Sequence, residues 1–257
     1  MNQHLAITAP PGTRTWFRQL KIVLAIAEKD ARIYFFKGPN LTFGLLMPVV
    51  LYAAYALERA VELRVVMPGL VATALLFGAG AIQGVALPLE RRTGTLHLLL
   101  TAPVTPFMLM LSKTLAGAFF GMALALLYAS VLSVMGAIEV AVVPFVLAAL
   151  ACSFCFSAFG LVLAIPFHDI PQAMPPATVI RIALVFVSGT FSADGVASPL
   201  LRGIAHAMPM IYGVHGLRQT VNGMADVNAF VMNMGLLALF TALFLGVATW
   251  LLRAQLR

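Results

Sequence analysis

Few side chains in this sequence combine a reactive type with a spacing that could do chemistry. Cys152 and Cys155 have the Cys-x-x-Cys spacing that occurs in metal sites and redox pairs. Both lie within a long apolar run that has no second cysteine pair and no nearby histidine, which favours small packing residues. His168 and Asp169 lie in a proline-rich segment, which favours a polar turn over a functional pair. We therefore predict no metal site and no catalytic residue.

The motifs of nucleotide binding and hydrolysis are absent from the sequence. No Gly-x-x-x-x-Gly-Lys-Ser/Thr segment occurs that could hold ATP phosphates. Neither His-Glu-x-x-His nor Gly-x-Ser-x-Gly occurs. No carboxylate lies centrally in a long apolar stretch, which argues against a carrier coupled to protons or sodium ions. We expect this chain not to be an enzyme and to bind no cofactor itself.

The composition indicates a membrane protein. Of 257 residues, 61% are hydrophobic and 10% are charged, whereas soluble domains average about 45–50% and about 25%. A globule of this length could not bury so much apolar surface, so the excess must face lipid. This excludes cytosolic enzymes, disordered tails and secreted disulfide scaffolds. The net charge of +7 indicates cytoplasmic loops and anionic lipid headgroups, and we expect no nucleic-acid partner.

The spacing of charged residues locates the membrane-spanning elements. Six stretches reach the ~20 residues that a helix needs to cross ~30 Å of hydrocarbon. Only Arg181 interrupts the fifth stretch, close to one end, where its side chain can extend to the headgroups. We predict an all-α membrane protein that forms a single transmembrane domain over residues 1–257. Its six transmembrane helices are predicted at residues 39–57, 66–89, 114–138, 140–167, 172–193 and 228–252.

The distribution of lysine and arginine predicts the orientation. With the N-terminus in the cytoplasm, 4 of the 16 basic residues face outside (Arg59, Arg64, Arg202 and Arg218), and the other 12, Arg181 among them, face the cytoplasm. Both termini are therefore predicted to be cytoplasmic. The first 37 residues contain no purely apolar core, so no cleavable signal peptide is expected.

A helix is predicted ahead of the first span, at residues 14–37. Apolar residues recur at helical spacing on one face and charged residues on the other, and Gly38-Pro39 ends the helix. Since hydrocarbon is adjacent, a basic amphipathic helix here favours an interfacial position over a solvated one. Its candidate functional residues are Trp16, Arg18, Lys21, Lys29 and Arg32.

Residues 197–217 are apolar but too broken to cross the membrane. Prolines and glycines divide them into pieces shorter than a span. We predict two short re-entrant helices that enter from outside and turn near Pro209. His206 and His215 either line a substrate path or are interfacial polar residues. The candidate outer-gate residues are Pro199, His206, Pro209, Tyr212, His215 and Arg218.

The loop at residues 90–113 is the most informative part of the sequence. Thr93-Gly94-Thr95 can end the second span and cap a short helix. Leu96, Leu99 and Leu100 give that helix one apolar face, and Pro103 ends it. In the cytoplasm, such a face favours a groove on a partner protein. The candidate residues for coupling the chain to such a partner, called the coupling residues, are Glu90, Arg91, Gly94, Thr95, Leu96, Leu99, Leu100 and Pro103.

This loop resembles that of the ABC-2 family of ABC-transporter membrane subunits. The family pattern reads Glu-Arg-(Arg/Lys)-x-Gly-Thr-Leu-x-x-Leu-Leu-x-x-Pro-(Val/Leu)-(Ser/Thr), followed by a lysine that enters the third span. The matching residues are Glu90, Arg91, Gly94, Thr95, Leu96, Leu99, Leu100, Pro103, Val104, Thr105 and Lys113. A second similarity follows the fifth span, at Ser188-Gly189-Thr190-Phe191, Pro199-Leu200, Met208-Pro209-Met210-Ile211-Tyr212 and Leu217-Arg218. The short outer loop between the first two spans leaves no room for an extracellular domain.

The resemblance implies a type V ABC exporter fold. Two membrane subunits, expected as a homodimer, would each dock on a separate ATPase subunit through the loop helix, with the interfacial helix as a second contact. ATP and Mg²⁺ would bind to the two ATPase copies. The expected substrate is amphipathic or lipid-linked: a glycolipid, lipo-oligosaccharide, polysaccharide or drug. The expected location is a prokaryotic inner membrane.

One alternative of a different class is a nucleotide-independent secondary carrier or a membrane scaffold. Carriers usually have paired polar groups or broken helices near the midplane, and these spans contain few of either. A neighbouring reading frame with a phosphate-binding Gly-x-x-x-x-Gly-Lys-Ser/Thr segment would favour the exporter.

Overall fold

The architecture is helical wherever the chain is described. The computed structural model describes residues 13–56, 63–101, 104–134, 140–191, 199–221 and 226–255. Within these ranges the helices are α1 (Thr13–Tyr34), α2 (Gly38–Leu41), α3 (Met47–Ala56), α4 (Leu63–Arg92), α5 (Thr95–Thr101), α6 (Pro106–Val134), α7 (Val142–Ala164), α8 (Ile170–Val187), α9 (Pro199–His206), α10 (Pro209–Arg218) and α11 (Val227–Gln255). A π-helical turn, Thr42–Leu46, joins α2 to α3.

Among the described residues, five helices are long and apolar enough to cross a membrane, which confirms the all-helical membrane class. They are Val65–Arg92, Pro106–Val134, Val142–Ala164, Ile170–Val187 and Val227–Gln255. The first predicted span contains only a shorter apolar helix, Gly38–Ala54, roughly 26 Å long at ~1.5 Å per residue. Within its π-helical turn, the Leu45 carbonyl accepts a hydrogen bond from the Tyr128 hydroxyl at 2.5 Å.

Helix α4 is the centre of the bundle. It packs against α3, α6, α7, α8 and α10. In an apolar 18-residue stretch of α4, 94% is buried inside the bundle, whereas the corresponding share in α11 is 28%. A helix that is apolar on every side is stable where other helices cover it on every side. The residues that α4 carries are therefore held from several directions at once.

Glycines allow the central helices to approach closely. A Cβ at Gly160 in α7 would overlap the backbone of Gly80 in α4, and a Cβ at Gly117 in α6 would lie 2.8 Å from the carbonyl oxygen of Ala79. Small residues at such crossings are typical of membrane helix packing. Gly80 and Gly117 therefore have a packing role at these crossings.

Candidate functional site

The loop helix α5 follows a tight turn after α4. Gly94 has a φ of 75°, a left-handed conformation that glycine adopts without a steric penalty. The hydroxyls of Thr93 and Thr95 lie 2.9 Å apart across the turn. The helix break predicted at Thr93-Gly94-Thr95 therefore occurs there, but α4 continues through Glu90 and Arg91 to Arg92, so these two coupling candidates belong to the end of α4.

The predicted docking face of α5 lies against the chain itself. Leu96 is buried, and Leu99 and Leu100 are partly buried against a cluster that includes Ile26 of α1 and Leu109 of α6. The spacing correctly identifies an apolar face, but that face is covered by neighbouring helices of the same chain. It holds α5 on the bundle and is only partly open to the surroundings, at Leu99 and Leu100.

The surface that α5 leaves open is a different one. The Leu98 side chain is 71% exposed, and Phe107, in the first turn of α6, is 42% exposed. His97, which precedes Leu98, and Thr101, one turn after it, are also exposed. We call Leu98, His97, Thr101 and Phe107 the loop surface. Sequence reasoning missed Leu98 because Leu98 lies outside the apolar stripe of Leu96, Leu99 and Leu100. A leucine on the otherwise polar side of the helix was the feature that could have indicated an exposed contact surface.

Four charged side chains from three helices meet where α5 joins the bundle. Lys29 Nζ lies 2.7 Å from Asp30 Oδ1 and 2.6 Å from Glu90 Oε1. Lys113 Nζ lies 3.2 Å from Asp30 Oδ2 and 2.5 Å from Glu90 Oε2. The side chains of Asp30, Glu90 and Lys113 are at most 2% exposed. We call Lys29, Asp30, Glu90 and Lys113 the charge quartet.

The charge quartet is electrically balanced. Two lysines and two carboxylates alternate, so each ion has partners of opposite charge. Such pairing offsets the desolvation cost of burying charged groups. Burial lowers the pKa of Lys29, but its hydrogen bonds to Asp30 and Glu90 outweigh this and leave the pKa above the ordinary 10.5. Burial raises the pKa of Tyr34, and the charges of Glu90 and Asp30 add to that rise.

The quartet joins the two flanks of the loop helix to α1. Glu90 lies in the last turn of α4. Lys113 lies in α6, on the other side of α5, and Lys29 and Asp30 belong to α1. Of these residues, the sequence predicted sites at Glu90 and Lys29; it missed Asp30 and gave Lys113 only as part of the loop pattern. A carboxylate (Glu90) and a lysine (Lys113) at the two ends of the same loop were the sequence feature that could have indicated an ion pair.

Arg91 makes a second set of contacts between helices, through hydrogen bonds at the same end of the bundle. Its Nη1 donates to the Phe167 carbonyl at 3.2 Å, and its Nη2 donates to Gln255 Oε1. Gln255 in turn donates to the Ile165 carbonyl at 3.1 Å. Arg91 therefore binds α4 to the α7–α8 turn and to the end of α11. In that turn, Asp169 lies 3.9 Å from the exposed Arg92, which agrees with a polar turn.

The interfacial-helix candidates are only partly described. The backbones of Trp16 and Arg18 belong to α1, but their side chains lie outside the described residues. Lys21 is exposed, and Arg32 pairs with Glu28 at 2.6 Å. The apolar face of α1 is divided: one part, including Val23, is buried, while Leu20 and Leu24 are 53% and 47% exposed. Pro103 of the coupling candidates also lies outside the described residues.

The α9–α10 segment forms two short helices, with Pro209 in the first turn of the second. Met210 and Val214 of α10 are buried in the core. The Tyr212 hydroxyl donates to the His206 carbonyl at 2.6 Å, and His206 Nδ1 lies 2.7 Å from the Arg202 carbonyl oxygen.

Three further gate candidates of this segment have different surroundings. His215 is exposed, and Arg218 Nη2 lies 3.4 Å from the Thr190 carbonyl oxygen. Pro199 begins α9, and its side chain does not belong to the described part of the structure. The structure thus joins Tyr212 to His206 and places Arg218 at the end of α8.

Arg181 does not extend to the headgroups as predicted. Its side chain is completely buried, and Nη2 donates to the Gly80 carbonyl of α4 at 2.9 Å. Arg181 lies 11 residues after Ile170, the first residue of α8, which is about 16 Å along the helix. Position along the sequence indicated a place near one end of the span; the face of α8 that packs on α4 decides where the side chain goes.

Cys152 and Cys155 are both buried and free. They lie in the core cluster, and Cys152 Sγ is close to Gly213 of α10. Among the described residues, no group of three or more His, Cys, Asp or Glu side chains could hold a metal ion. Packing is the role that their surroundings support.

The comparisons with known proteins concern most of the chain. The family model described as ABC-2 type transporter matches residues 30–222, a range that begins at Asp30 of the quartet and includes α5 and α10. A search of curated proteins finds no match.

Proposed function

The chain belongs to the ABC-2 type transporter family, and from this premise we propose that it is the membrane-spanning permease subunit of an ATP-driven exporter. A multi-pass membrane permease follows from the family and the apolar helices. The proposal adds that a separate ATPase subunit, in two copies, binds ATP and Mg²⁺ and drives an amphipathic or lipid-linked substrate out of the cytoplasm.

The observation that carries this proposal is the open loop surface on a helix that the bundle holds firmly. Leu98 exposes an apolar side chain, while Leu96 on the opposite side anchors α5. Outside the hydrocarbon, an exposed apolar side chain on a surface helix is stabilised by a partner's groove. The ATPase would therefore contact Leu98 and Phe107, and the leucines first predicted to dock would instead transmit its force to the bundle.

The charge quartet would transmit a displacement of α5 to the rest of the bundle. A displacement of α5 acts on α4 and α6 together because Glu90 and Lys113 are joined, and Asp30 passes it to α1. Rigid elements that have two discrete arrangements can bias the whole bundle between inward-open and outward-open states. Nucleotide binding on the ATPase would supply the bias.

The arrangement in the membrane belongs to the same proposal. We place α5 and both termini in the cytoplasm of a prokaryotic cell, Gly38–Ala56 as a sixth span, α9 and α10 as re-entrant helices, and a second copy of the chain beside the first. With Arg181 inside the bundle, the count of cytoplasmic basic residues falls from 12 to 11 against 4 outside, so the inference from charge still holds. Labelling of Arg92→Cys by an impermeant reagent from outside would contradict this orientation.

The decisive experiment changes Leu98 to Asp. We expect co-expression with the ATPase of a neighbouring reading frame to yield a complex with the wild type and none with Leu98→Asp. A charge cannot enter an apolar groove without losing its hydration. The amount of protein in the membrane should stay the same, because Leu98 contacts little of its own chain.

The matched control is His168→Asp, which adds an acidic residue at an exposed turn on the same end of the bundle. This variant should co-purify with the ATPase as the wild type does. If Leu98→Asp retains the ATPase and its full substrate-stimulated activity, α5 is not the docking element.

A further inference from the structure

Arg181 is a buried cation whose hydrogen-bonding capacity is largely unused. A guanidinium has five N–H donors, and the hydrogen bond that Arg181 makes within the described ranges runs from Nη2 to the Gly80 carbonyl. Nε and Nη1 are buried and have no hydrogen-bond partner among the described residues. Ionisable groups inside membrane helices are costly and are usually retained for function.

The described carboxylates are all engaged elsewhere. Asp30 and Glu90 belong to the charge quartet. Glu28 pairs with Arg32, and Asp169 lies near Arg92. Asp226 accepts hydrogen bonds from the backbone N–H groups of Asn228 and Ala229 at the start of α11. Within the described ranges, the positive charge of Arg181 therefore has no carboxylate to balance it.

Thr178 adds a second unpaired donor beside Arg181. The two residues are three apart on α8 and so lie on the same face, with Cβ atoms about 5–6 Å apart. Thr178 Oγ1 is buried, and in the described part of the chain it also has no hydrogen-bond partner. A planar guanidinium fork with a neighbouring hydroxyl is a donor set that matches the oxygens of a phosphate or carboxylate.

We propose that Arg181 and Thr178 form a binding site for the anionic headgroup, a phosphate or a carboxylate, of an amphiphile at the junction of α4 and α8. This inference rests on the proposed function, because it specifies an anionic group on the amphipathic substrate. In the present structure α4 covers the guanidinium, so the ligand enters when α8 separates from α4.

The position of α8 suits that entry. Its packing partners among the described helices are α4, α7 and α9, and Val179, on a different face from Arg181, is 66% exposed. An acyl chain can therefore remain in the lipid while the headgroup reaches the arginine. The transported substrate and a resident lipid offer the same chemistry, and the test separates them.

The test measures binding of dodecyl phosphate to the purified full chain by native mass spectrometry, in the neutral detergent dodecyl maltoside and without the ATPase. We expect saturable binding to the wild type. Arg181→Gln should weaken it about tenfold or more, since hydrogen bonds to charged groups contribute more than neutral ones. Arg181→Lys should be intermediate because it keeps the charge but not the fork, and Thr178→Val should weaken binding about two- to tenfold.

The control Arg253→Gln removes an exposed arginine from the end of α11 and should bind dodecyl phosphate as the wild type does. An anionic lipid that survives purification on the wild type but not on Arg181→Gln identifies a resident headgroup. A wild-type site that is empty after purification and fills with dodecyl phosphate shows an exchangeable headgroup, as a transported substrate requires.

Equal affinities of the wild type and Arg181→Gln would overturn the proposal. If Arg181→Gln does not accumulate, Thr178→Val decides: unchanged affinity rejects the site, and reduced affinity supports it. Failure of Leu98→Asp to release an ATPase would leave this result unaffected, since the binding measurement contains no ATPase.

Discussion

Lys113 and Arg181 are both completely buried cations, but their surroundings differ. Lys113 lies between two carboxylates, at 2.5 Å from Glu90 and 3.2 Å from Asp30. Arg181 donates to a backbone carbonyl, and two of its nitrogens have no partner among the described residues. Burial alone therefore does not define the role of a charge. A balanced ion holds helices together, whereas an unbalanced one is suited to a ligand.

The largest expected effect comes from replacing Lys113. Lys113→Met leaves two buried carboxylates with Lys29 as their remaining ionic partner in the quartet. We expect it to lower the free energy of unfolding by about 3–5 kcal/mol, the usual cost of removing one member of a buried ion pair. Thermal and denaturant unfolding of the purified protein in detergent measures this.

Two further variants test the cause of the Lys113 effect. Adding Glu90→Gln should recover part of the loss, because the double variant leaves fewer uncompensated charges. Glu28→Gln breaks only the exposed pair with Arg32 and should cost less than about 0.5 kcal/mol. If Lys113→Met unfolds as the wild type does, the quartet does not stabilise the bundle.

Replacing Arg181 should have a much smaller effect on stability. Arg181→Met loses one hydrogen bond to Gly80 but also removes a buried charge, and these changes oppose each other. We expect the free energy of unfolding to change by less than about 1 kcal/mol in either direction, measured as for Lys113→Met. A loss as large as that of Lys113→Met would mean that Arg181 has a structural partner, and the contrast between the two cations would fail.

The smallest expected effect is a decline of stability at high pH. The pKa of Lys29 is raised above 10.5 in the folded protein, so its charge stabilises the fold below about pH 10.5 and this contribution is lost as the pH rises through the raised value. Tyr34, whose pKa is also raised, acts in the same direction, because the folded state disfavours its ionised form.

The melting temperature between pH 8 and pH 11.5 tests this expectation. The wild type should lose stability above about pH 10, and both Lys29→Met and Tyr34→Phe should reduce the slope. Because the Lys29 side chain is 32% exposed, solvent screening keeps its contribution small. A melting temperature that stays constant over this range in the wild type would contradict the prediction.

Local features of the sequence predicted a large part of the fold. Apolar stretches without charge located the helices that can cross a membrane, since hydrocarbon thickness sets their length. Thr93-Gly94-Thr95 predicted the break before α5, because the turn needs a left-handed residue. Each inference used residues that are neighbours along the chain.

The candidate site could be predicted only in part. The sequence located the apolar face of α5 and the charged ends of its flanking helices. It did not indicate that Leu96 faces the chain's own core while Leu98 faces outward, or that Asp30 joins Glu90 and Lys113. Helical spacing states which residues share a face, but the cover of that face depends on helices that are distant in sequence.

The sequence by itself determined the membrane class, the helical segments and the family-like loop, because hydrophobicity and backbone preferences act over a few turns of helix. The tertiary structure alone decided the balance of the charges. Asp30 and Lys113 are 83 residues apart, and Arg181 meets Gly80 across 101 residues. Whether a buried ion is neutralised depends on contacts of a few ångströms that the packing of whole helices creates, and the spacing of residues along the chain does not contain that information.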